Sequence, residues 1–261
     1  MKENIQIIFV DIDCTLLDWS IRPSAFDIES IEELKKVQKK GVKVFLCTAR
    51  PYHSVKQIKL LELITPDGMI LANGGIVMIG DKVVFKTEMP VNEFEDLCKL
   101  ALSLHVNIEG VRLHDCFLIA ERDKALDYLF EAYPEEVPPV EDYHGQKVIG
   151  CTLFAHKDLD EIIVPKLPKD FYYFRYHDYG VDIASVPHIK GEGIKVALKE
   201  SGISKNNAMA IGDDIADIAM FDEVKYSVAM KNGKPEVIEA AKYVTETVTD
   251  HGVKAILLKL L

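Results

Sequence analysis

The sequence lacks any pairing pattern among its cysteines. Five occur in 261 residues, and none of them forms a CxxC pair. An odd number leaves at least one cysteine outside any set of intrachain disulfides. A disulfide framework is therefore not indicated, and we expect a protein of the reducing cytoplasm.

Long apolar runs are also missing. The first run, Ile7–Val10, meets an aspartate at position 11 and is too short for a secretion signal. No stretch approaches the roughly 20 apolar residues that a membrane span requires. We expect a protein that is neither secreted nor embedded in a membrane.

Positive charge is in deficit, with 31 Lys and Arg against 42 Asp and Glu and a formal net charge of -11. This is the wrong sign for neutralising nucleic-acid phosphates or anionic lipid, so we expect neither nucleic acid nor a membrane as partner. A cation cofactor or a locally held small anion is compatible with the charge. The 48% hydrophobic and 28% charged content is that of an ordinary folded protein.

Near both ends of the chain, short apolar runs alternate with segments of helical period. Residues 5–10 and 42–47 are predicted strands, and the apolar stripe from Ile28 to Val37 predicts a helix that Gly41 can end. The same order returns later, with predicted strands at 208–211 and 226–230, a helix at 215–221 between them, and a helix opened by Pro235. This alternation predicts an α/β fold with a doubly wound, Rossmann-like parallel sheet covered on both faces.

The middle of the chain follows a different pattern. Strands come in adjacent pairs, such as 172–177 with 180–184, and helices such as 94–104 separate the pairs. We expect an inserted α+β unit over residues 82–182, with residues 1–81 and 183–261 forming the core.

Two acidic segments follow predicted core strands. Asp11 and Asp13 come directly after the first strand, and residues 212–217 read GDDIAD after a later one. Ligands bind beyond the carboxyl ends of strands in doubly wound sheets, so both segments lie at the expected crevice. Asp11 and Asp13 would share a face if the strand continued, and their repulsion would then require a cation or a shared proton. Their convergence on one Mg²⁺ is the inference, because each segment alone also suits a solvated loop or a helix N-terminus.

Two further residues complete an ordered set. Thr48 follows the strand at 42–47 and can hydrogen-bond an oxyanion, and Lys190 precedes a predicted helix and can place a positive charge beside phosphate or a carboxylate. Either residue alone could be a cap or a surface lysine. The order of acid pair, threonine, lysine and acidic cluster is hard to explain without a shared function.

On these residues the sequence resembles the haloacid dehalogenase (HAD) superfamily, specifically the Cof-type phosphatases with an inserted cap. DIDCT at Asp11 matches the first motif, TAR at Thr48 the second, Lys190 the third and GDDIAD the fourth. An Asn-Gly loop at 73–74, an MxN segment ending at Asn232 and a DGV-like ending at 250–253 extend the similarity through the core.

The resemblance implies a Mg²⁺-dependent phosphomonoester hydrolase that acts on a small phosphorylated metabolite through an aspartyl-phosphate. Asp11 would attack phosphorus, and Asp13 would protonate the leaving group and then activate water. Mg²⁺ would be held by the Asp11 carboxylate, the Asp13 backbone carbonyl and Asp213. Thr48 and Lys190 would hold the transferring oxygens.

Further residues have lesser implied roles. Asp214 and Asp217 would support the metal site. Candidates for substrate binding in the core are Thr15, Arg50, Asn73, Gly74 and Asn232. Candidates in the inserted unit, chosen because an anionic substrate needs positive or donor groups, are Arg112, His114, Arg122, Arg175 and His177.

One departure from the family pattern concerns the fourth motif, which usually reads GDxxND. Ala216 stands where the asparagine is expected, which predicts weaker Mg²⁺ binding. Two other functions stay open: a phosphomutase, which would keep the same nucleophile, and, because of Ala216, a low-turnover regulator that binds a phosphate ligand. The retained Asp13 argues against the regulator, because a mere phosphoryl acceptor does not need a general acid beside its nucleophile.

Overall fold

The structure, a computed structural model, describes residues 3–21, 24–120, 126–127, 136–185 and 189–261. The chain divides into two compact units. The core unit comprises Met1–Arg50, Lys59–Phe85 and Ile189–Leu261, and the inserted unit comprises Pro51–Ile58 and Lys86–His188.

The strands of the described residues are, in chain order, β1 (Ile7–Val10), β2 (Leu17–Asp18), β3 (Ala25–Phe26), β4 (Lys43–Cys47), β5 (Gly68–Leu71), β6 (Ile76–Ile79), β7 (Lys82–Lys86), β8 (Asn107–Val111), β9 (Cys116–Leu118), β10 (Gly150–Phe154), β11 (Tyr172–His177), β12 (Gly180–Ala184), β13 (Ala208–Gly212), β14 (Tyr226–Ala229) and β15 (Tyr243–Val244). The α-helices are α1 (Ile28–Lys39), α2 (Tyr52–Gln57), α3 (Leu60–Leu63), α4 (Val91–Ser103), α5 (Asp160–Ile163), α6 (Lys190–Ser201), α7 (Ile215–Phe221), α8 (Pro235–Ala240) and α9 (Gly252–Leu260).

The core sheet has the strand order β15-β14-β13-β1-β4-β5-β6-β7. The pairs from β15 to β5 are parallel, and β6 returns antiparallel to β5. Parallel neighbours need crossover connections, and α1 supplies one between β1 and β4 after the short β2–β3 hairpin. The predicted α/β fold with a Rossmann-like parallel sheet is confirmed.

Both faces of this sheet are covered, as the central strand β1 shows: each of its residues is apolar and fully buried. Ile7 and Phe9 pack in one cluster with Ile194 and Ala197 of α6. The alternate residues of β1 point to the other face, where α1 packs against β4 and α9. Burial of each such side chain stabilises the fold by about 1.5–3 kcal/mol. The well-packed strands therefore provide a rigid base for the loops that follow them.

Local signals explain most element boundaries. The side chain of Asp27 accepts a hydrogen bond from the backbone N–H of Ser30 at 3.2 Å and so caps the start of α1, and the chain leaves that helix through Gly41 at a φ of +90°. α8 opens with Pro235, as predicted. α6 begins at Lys190 itself, earlier than predicted, because glycines at 191 and 193 hide the helical pattern.

The inserted unit contains an antiparallel sheet in the order β11-β12-β10-β8-β9. One face of this sheet packs against α4 through a cluster that includes Phe94, Ile108 and Phe117. The adjacent strand pairs expected from the sequence are thus present as β8–β9 and β11–β12. None of the helices in the described part of the chain has the length and apolar character that crossing a bilayer requires.

Candidate active site

Three of the predicted site residues follow neighbouring parallel strands. Asp11 comes directly after β1, Thr48 after β4, and Asp213 after β13. Because these strands run parallel and side by side, their carboxyl ends meet at one edge of the sheet. The two acidic segments, about two hundred residues apart in sequence, are brought together at that edge.

Three carboxylates and one lysine form the centre of this site. Oxygens of Asp11, Asp213 and Asp217 lie within 4.8 Å of one another, and all three residues are buried. Lys190 Nζ lies 2.8 Å from Asp11 Oδ1 and 2.6 Å from Asp217 Oδ1. The first residue of α6 thereby connects the acid that follows β1 with the acid on α7.

The start of α7 explains how Asp217 is aimed at the site. Asp214 is the N-cap of this helix, and Asp217 lies in its first turn. The backbone N–H groups of Asp213 and Asp214 donate to Asp217 Oδ2 at 2.8 and 2.9 Å. The opposite carboxylate oxygen is left to accept from Lys190, so one side chain ties the helix start to the lysine.

The electrostatics of the centre follow from burial. Burial raises the pKa of Asp11 well above its usual value, although Lys190 opposes this shift. Burial, followed by repulsion from Asp217, raises the pKa of Asp213 to about 7. Burial disfavours the charged lysine, but attraction to Asp11 and Asp217 outweighs it and raises the pKa of Lys190. One ammonium thus faces three carboxylates.

This donor set fits a divalent cation. Hard divalent cations take oxygen ligands, and carboxylate oxygens supply them here. Such an ion would offset the charge that Lys190 leaves uncompensated. The residues that could hold it are Asp11, Asp213 and Asp217.

Asp13 has a different environment from Asp11. Arg50 binds both of its oxygens through Nε and Nη2, each at 2.8 Å, and Trp19 Nε1 donates to Oδ1 at 2.8 Å. Burial works to raise the pKa of Asp13, but the charge and hydrogen bonds of Arg50, together with Trp19, lower it. The two acids of the first motif therefore differ, since their surroundings lower the pKa of Asp13 and raise the pKa of Asp11.

Two threonines have partners at the centre of the site. Thr15 Oγ1 donates to Asp213 Oδ1 at 3.0 Å, a contact that spans 198 residues of sequence. Thr48 Oγ1 accepts from the backbone N–H of Arg50 at 3.1 Å and is fully buried. In this structure Thr15 positions a carboxylate, and Thr48 shapes the turn after β4.

Asn73 and Gly74 form a strained turn after β5. Asn73 is buried with a φ of +52°, and its backbone N–H donates to the Thr48 carbonyl at 3.1 Å. Gly74 has a φ of +97°, and a Cβ there would lie 2.4 Å from the carbonyl oxygen of Ile189. Only glycine fits this position, because both the backbone angle and the close approach exclude a side chain.

Asn232 and Asp214 make contacts that stabilise loops. Asn232 Nδ2 donates to the Cys14 carbonyl at 2.8 Å, and its Oδ1 accepts from the backbone N–H of Val248 at 3.0 Å. Asp214 is partly exposed and pairs with Lys234 at 2.9 Å. Ala216, the departure from the family pattern, is the second residue of α7.

The basic candidates of the inserted unit are engaged within that unit. Arg112 pairs with Asp115 and with Glu141, the latter at 2.9 Å, and Arg175 pairs with Asp160. Arg122 lies outside the described residues. His114 and His177 also have ring or hydrogen-bond partners within the unit.

Two features of the structure were not predicted from the sequence. Trp19 bonds Asp13, and the signal available was that it is the single tryptophan of the chain, six residues beyond the acid it contacts. A second group of metal-ligating side chains, His53, Glu109 and Cys116, lies in the inserted unit. Its members share no local spacing, so no sequence motif marks them.

Comparison with known proteins identifies the class to which this fold and site belong. Residues 8–257 match the sequence profile of the haloacid dehalogenase-like hydrolases, and the chain belongs to that family. The resemblance inferred from the motifs is confirmed. The chain is thus an enzyme of the phosphomonoester hydrolase class.

Individual relatives match over nearly their whole length. "Putative phosphatase YkrA" of Bacillus subtilis is 28% identical, covering 95% of each chain. Phosphoglycolate phosphatase 1 of Saccharolobus solfataricus is 27% identical, covering 98% of this chain and 96% of that protein. Among solved structures, the subclass IIB sugar phosphatase BT4131 has a TM-score of 0.83 at 24% identity, covering 97% of this chain and 98% of that one.

Proposed function

We propose that this enzyme hydrolyses a small phosphorylated metabolite in a Mg²⁺-dependent reaction that passes through a phosphoryl group bound covalently to Asp11. The observation that carries the proposal is the convergence of Asp11, Asp213 and Asp217 around Lys190 at the carboxyl edge of the core sheet. This arrangement combines a buried carboxylate nucleophile with oxygen ligands for a cation. Mg²⁺ bound there supplies the positive charge that lets a phosphate dianion approach a carboxylate.

In the first half-reaction, the oxygen of Asp11 attacks phosphorus. A bond forms between that oxygen and phosphorus while the bond from phosphorus to the leaving oxygen breaks. Lys190 bonds Asp11 through Oδ1, which orients the carboxylate and leaves Oδ2 as the candidate attacking atom. Lys190 and Thr48 are the residues proposed to hold the transferring oxygens.

In the second half-reaction, a water attacks the phosphoryl group and releases inorganic phosphate from Asp11. Asp13 is the proposed proton carrier, which gives a proton to the leaving oxygen first and takes one from this water second. Its ionised form, favoured by Arg50, suits the second role directly. For the first role Asp13 must be protonated, so its hydrogen bonds with Arg50 must break. Arg50 would then be available to bind the substrate phosphate, which is the role proposed for it.

The proposed substrate class is a sugar phosphate or a similar phosphomonoester with no second anionic group. The sequence predicts that Arg112 and Arg175 bind an anionic substrate. In the structure each of them pairs with carboxylates of its own unit. Their charges are thereby already compensated. The solved relative named a sugar phosphatase agrees with this class, whereas the named relative that acts on phosphoglycolate accepts a substrate with an extra carboxylate.

A phosphate-release screen over a panel of metabolite phosphates tests the activity, the metal and the substrate class together. We expect release that requires Mg²⁺, is lost in chelator, and vanishes in Asp11→Asn. Asp222→Asn is the matched control, because it makes the same change at an exposed residue that follows α7, and it should keep full activity. Release that is unaffected by Asp11→Asn would exclude Asp11 as nucleophile.

The same assay separates the two other functions. A phosphomutase would convert one phosphate ester to another without raising free phosphate. A regulator would retain covalent phosphate after incubation with a donor and would not turn over. Either result would replace hydrolysis as the function of this site.

The effect of Ala216 is tested by titrating activity against Mg²⁺ in the native chain and in Ala216→Asn. We propose that the asparagine lowers the Mg²⁺ concentration needed for half-maximal activity, because it restores a polar group near the metal ligands. Identical titration curves would show that this position does not affect the metal.

A further inference from the structure

The inserted unit contains a compact group of three different metal-ligating atoms. His53 Nε2, Glu109 Oε1 and Cys116 Sγ all lie within 4.8 Å of one another. Nε2 lies 2.9 Å from Sγ and 3.8 Å from Oε1. The imidazole is thus the central member of the group.

The local fold explains why these atoms meet. Glu109 lies on β8 and Cys116 on β9, and the antiparallel pairing of these strands puts both side chains on the same face of the sheet. His53 lies in the first turn of α2, which belongs to the same unit. The ring of Tyr52 packs edge-on against His114, in the turn between β8 and β9, at a centroid distance of 5.4 Å. This contact holds the start of α2 beside the hairpin.

The group is shielded from water. Glu109 and Cys116 are buried, and the His53 side chain is only 14% exposed. A cation bound here would be attracted to the Glu109 carboxylate and to the thiolate that Cys116 becomes on metal binding. Three donors on three separate segments thus lie close enough together for one ion to bind all of them after a small adjustment.

The donor types distinguish this group from the carboxylates of the active site. Magnesium and calcium prefer oxygen ligands, whereas sulfur, nitrogen and oxygen together suit a borderline ion such as zinc. Zinc sites with three protein ligands keep a fourth position for water or another small ligand. The group therefore has the composition of an open zinc site.

We propose that His53, Glu109 and Cys116 bind a zinc-class divalent cation, at a second site that is separate from the active-site carboxylates. Cys116 binds as the thiolate, and its proton passes to solvent when the ion enters. A tetrahedral ion with bonds of about 2.0 Å to nitrogen and 2.3 Å to sulfur separates those ligands by about 3.5 Å. The side chains of His53 and Cys116 must therefore move apart by roughly half an ångström on binding.

The bound ion joins α2 to the β8–β9 hairpin. α2 is short and lies between two stretches of core unit in the sequence. A shared ion adds a metal-ligand link between α2 and the hairpin, beside the ring contact of Tyr52 with His114. The site is therefore structural in its effect, with a fourth position that a small ligand can occupy.

Cobalt(II) is the probe that tests this site, because a thiolate ligand gives Co²⁺ a near-ultraviolet charge-transfer absorption that carboxylates do not give. Chelator-treated protein is titrated with Co²⁺ in excess Mg²⁺, which occupies oxygen-only sites. We expect the absorption to saturate at one equivalent and to disappear when Zn²⁺ is added. The absence of this absorption in the native chain at millimolar Co²⁺ would overturn the proposal without any variant.

Variants assign the absorption to this group. Cys116→Ser should abolish it, and His53→Ala should weaken Co²⁺ binding by more than the roughly 10–100-fold that loss of an outer partner costs. Cys98→Ser is the matched control, since Cys98 is a buried cysteine of the same unit that packs in the apolar cluster around α4. An absorption that persists in Cys116→Ser, or that is lost in Cys98→Ser, would refute the assignment.

The result is independent of the proposed hydrolysis. Asp213→Asn, which alters the active-site carboxylates, should leave the Co²⁺ absorption unchanged. If that variant removes the absorption, the ion belongs to the active site and the second site does not exist.

Discussion

Replacing Asp217 by asparagine should strongly destabilise the core unit. The carboxylate is fully buried and accepts three hydrogen bonds, two from the backbone N–H groups of Asp213 and Asp214 and one from Lys190. Asparagine has one oxygen and one NH₂ group in place of two acceptor oxygens. In either orientation its NH₂ group must point at a donor, either the lysine or the two amides.

The magnitude follows from two opposing effects. Breaking a buried ion pair by removing one partner costs about 3–5 kcal/mol. The substitution also removes repulsion, because the charge of Asp217 raises the pKa of both Asp11 and Asp213. The loss should therefore fall at the lower end, at about 3 kcal/mol of unfolding free energy.

Fluorescence of Trp19 measures this loss for the core unit alone, because it is the only tryptophan of the chain and lies in that unit. Denaturant unfolding is followed in the presence of chelator, and the midpoint and slope give the free energy. Asp214→Asn is the matched control, since asparagine is an equally good helix N-cap, and it should cost less than about 1 kcal/mol. If Asp217→Asn costs no more than this control, the carboxylate does not hold the lysine and the helix start as described.

Three further predictions concern the same region. Arg50→Met should raise the pKa of Asp13, because it removes the guanidinium that favours the ionised carboxylate. The pH profile of kcat/KM should then move to higher pH. An unchanged profile would contradict the pairing of Arg50 with Asp13. Gly74→Ala and Gly41→Ala should each lower the free energy of unfolding by about 1–3 kcal/mol, because each glycine has a positive φ. In the same unfolding assay Gly74→Ala should lower it more, because its Cβ would lie 2.4 Å from a carbonyl oxygen whereas a Cβ at Gly41 would face open space. The pKa of Asp213 is raised to about 7, so protons compete with the cation for this carboxylate below neutrality. The Mg²⁺ concentration for half-maximal activity should therefore rise as pH falls from about 8 to about 6. Equal concentrations at both pH values would show that Asp213 is not a ligand.

The strands could be predicted from the sequence because they depend on local patterns, and the convergence of the acids then follows from a parallel sheet. Apolar runs followed at once by Asp11, Thr48 and Asp213 indicate strand ends, and the parallel sheet then brings those ends to one edge. No distance had to be known for this inference. The topology alone supplies it.

The directions of the two acids in the first motif could not be predicted. The sequence suggested that Asp11 and Asp13 share a face if the strand continued, but β1 ends at Val10 and the chain turns. Asp11 then meets Lys190, while Asp13 meets Arg50, which lies 37 residues away in sequence. The directions of the two side chains depend on this turn, and its geometry depends on contacts with residues that are distant in sequence.

The chain passes between the two units immediately beside functional residues. Arg50 is the last residue of one core segment, and Lys190 is the second residue of another. Anyone who grafts the inserted unit of a relative onto this core must therefore place the splice junctions within a residue or two of side chains that contact Asp13 and Asp11. Junctions placed a few residues further into the core would remove Arg50 or Lys190, and with them the contacts that these side chains make with Asp13 and Asp11.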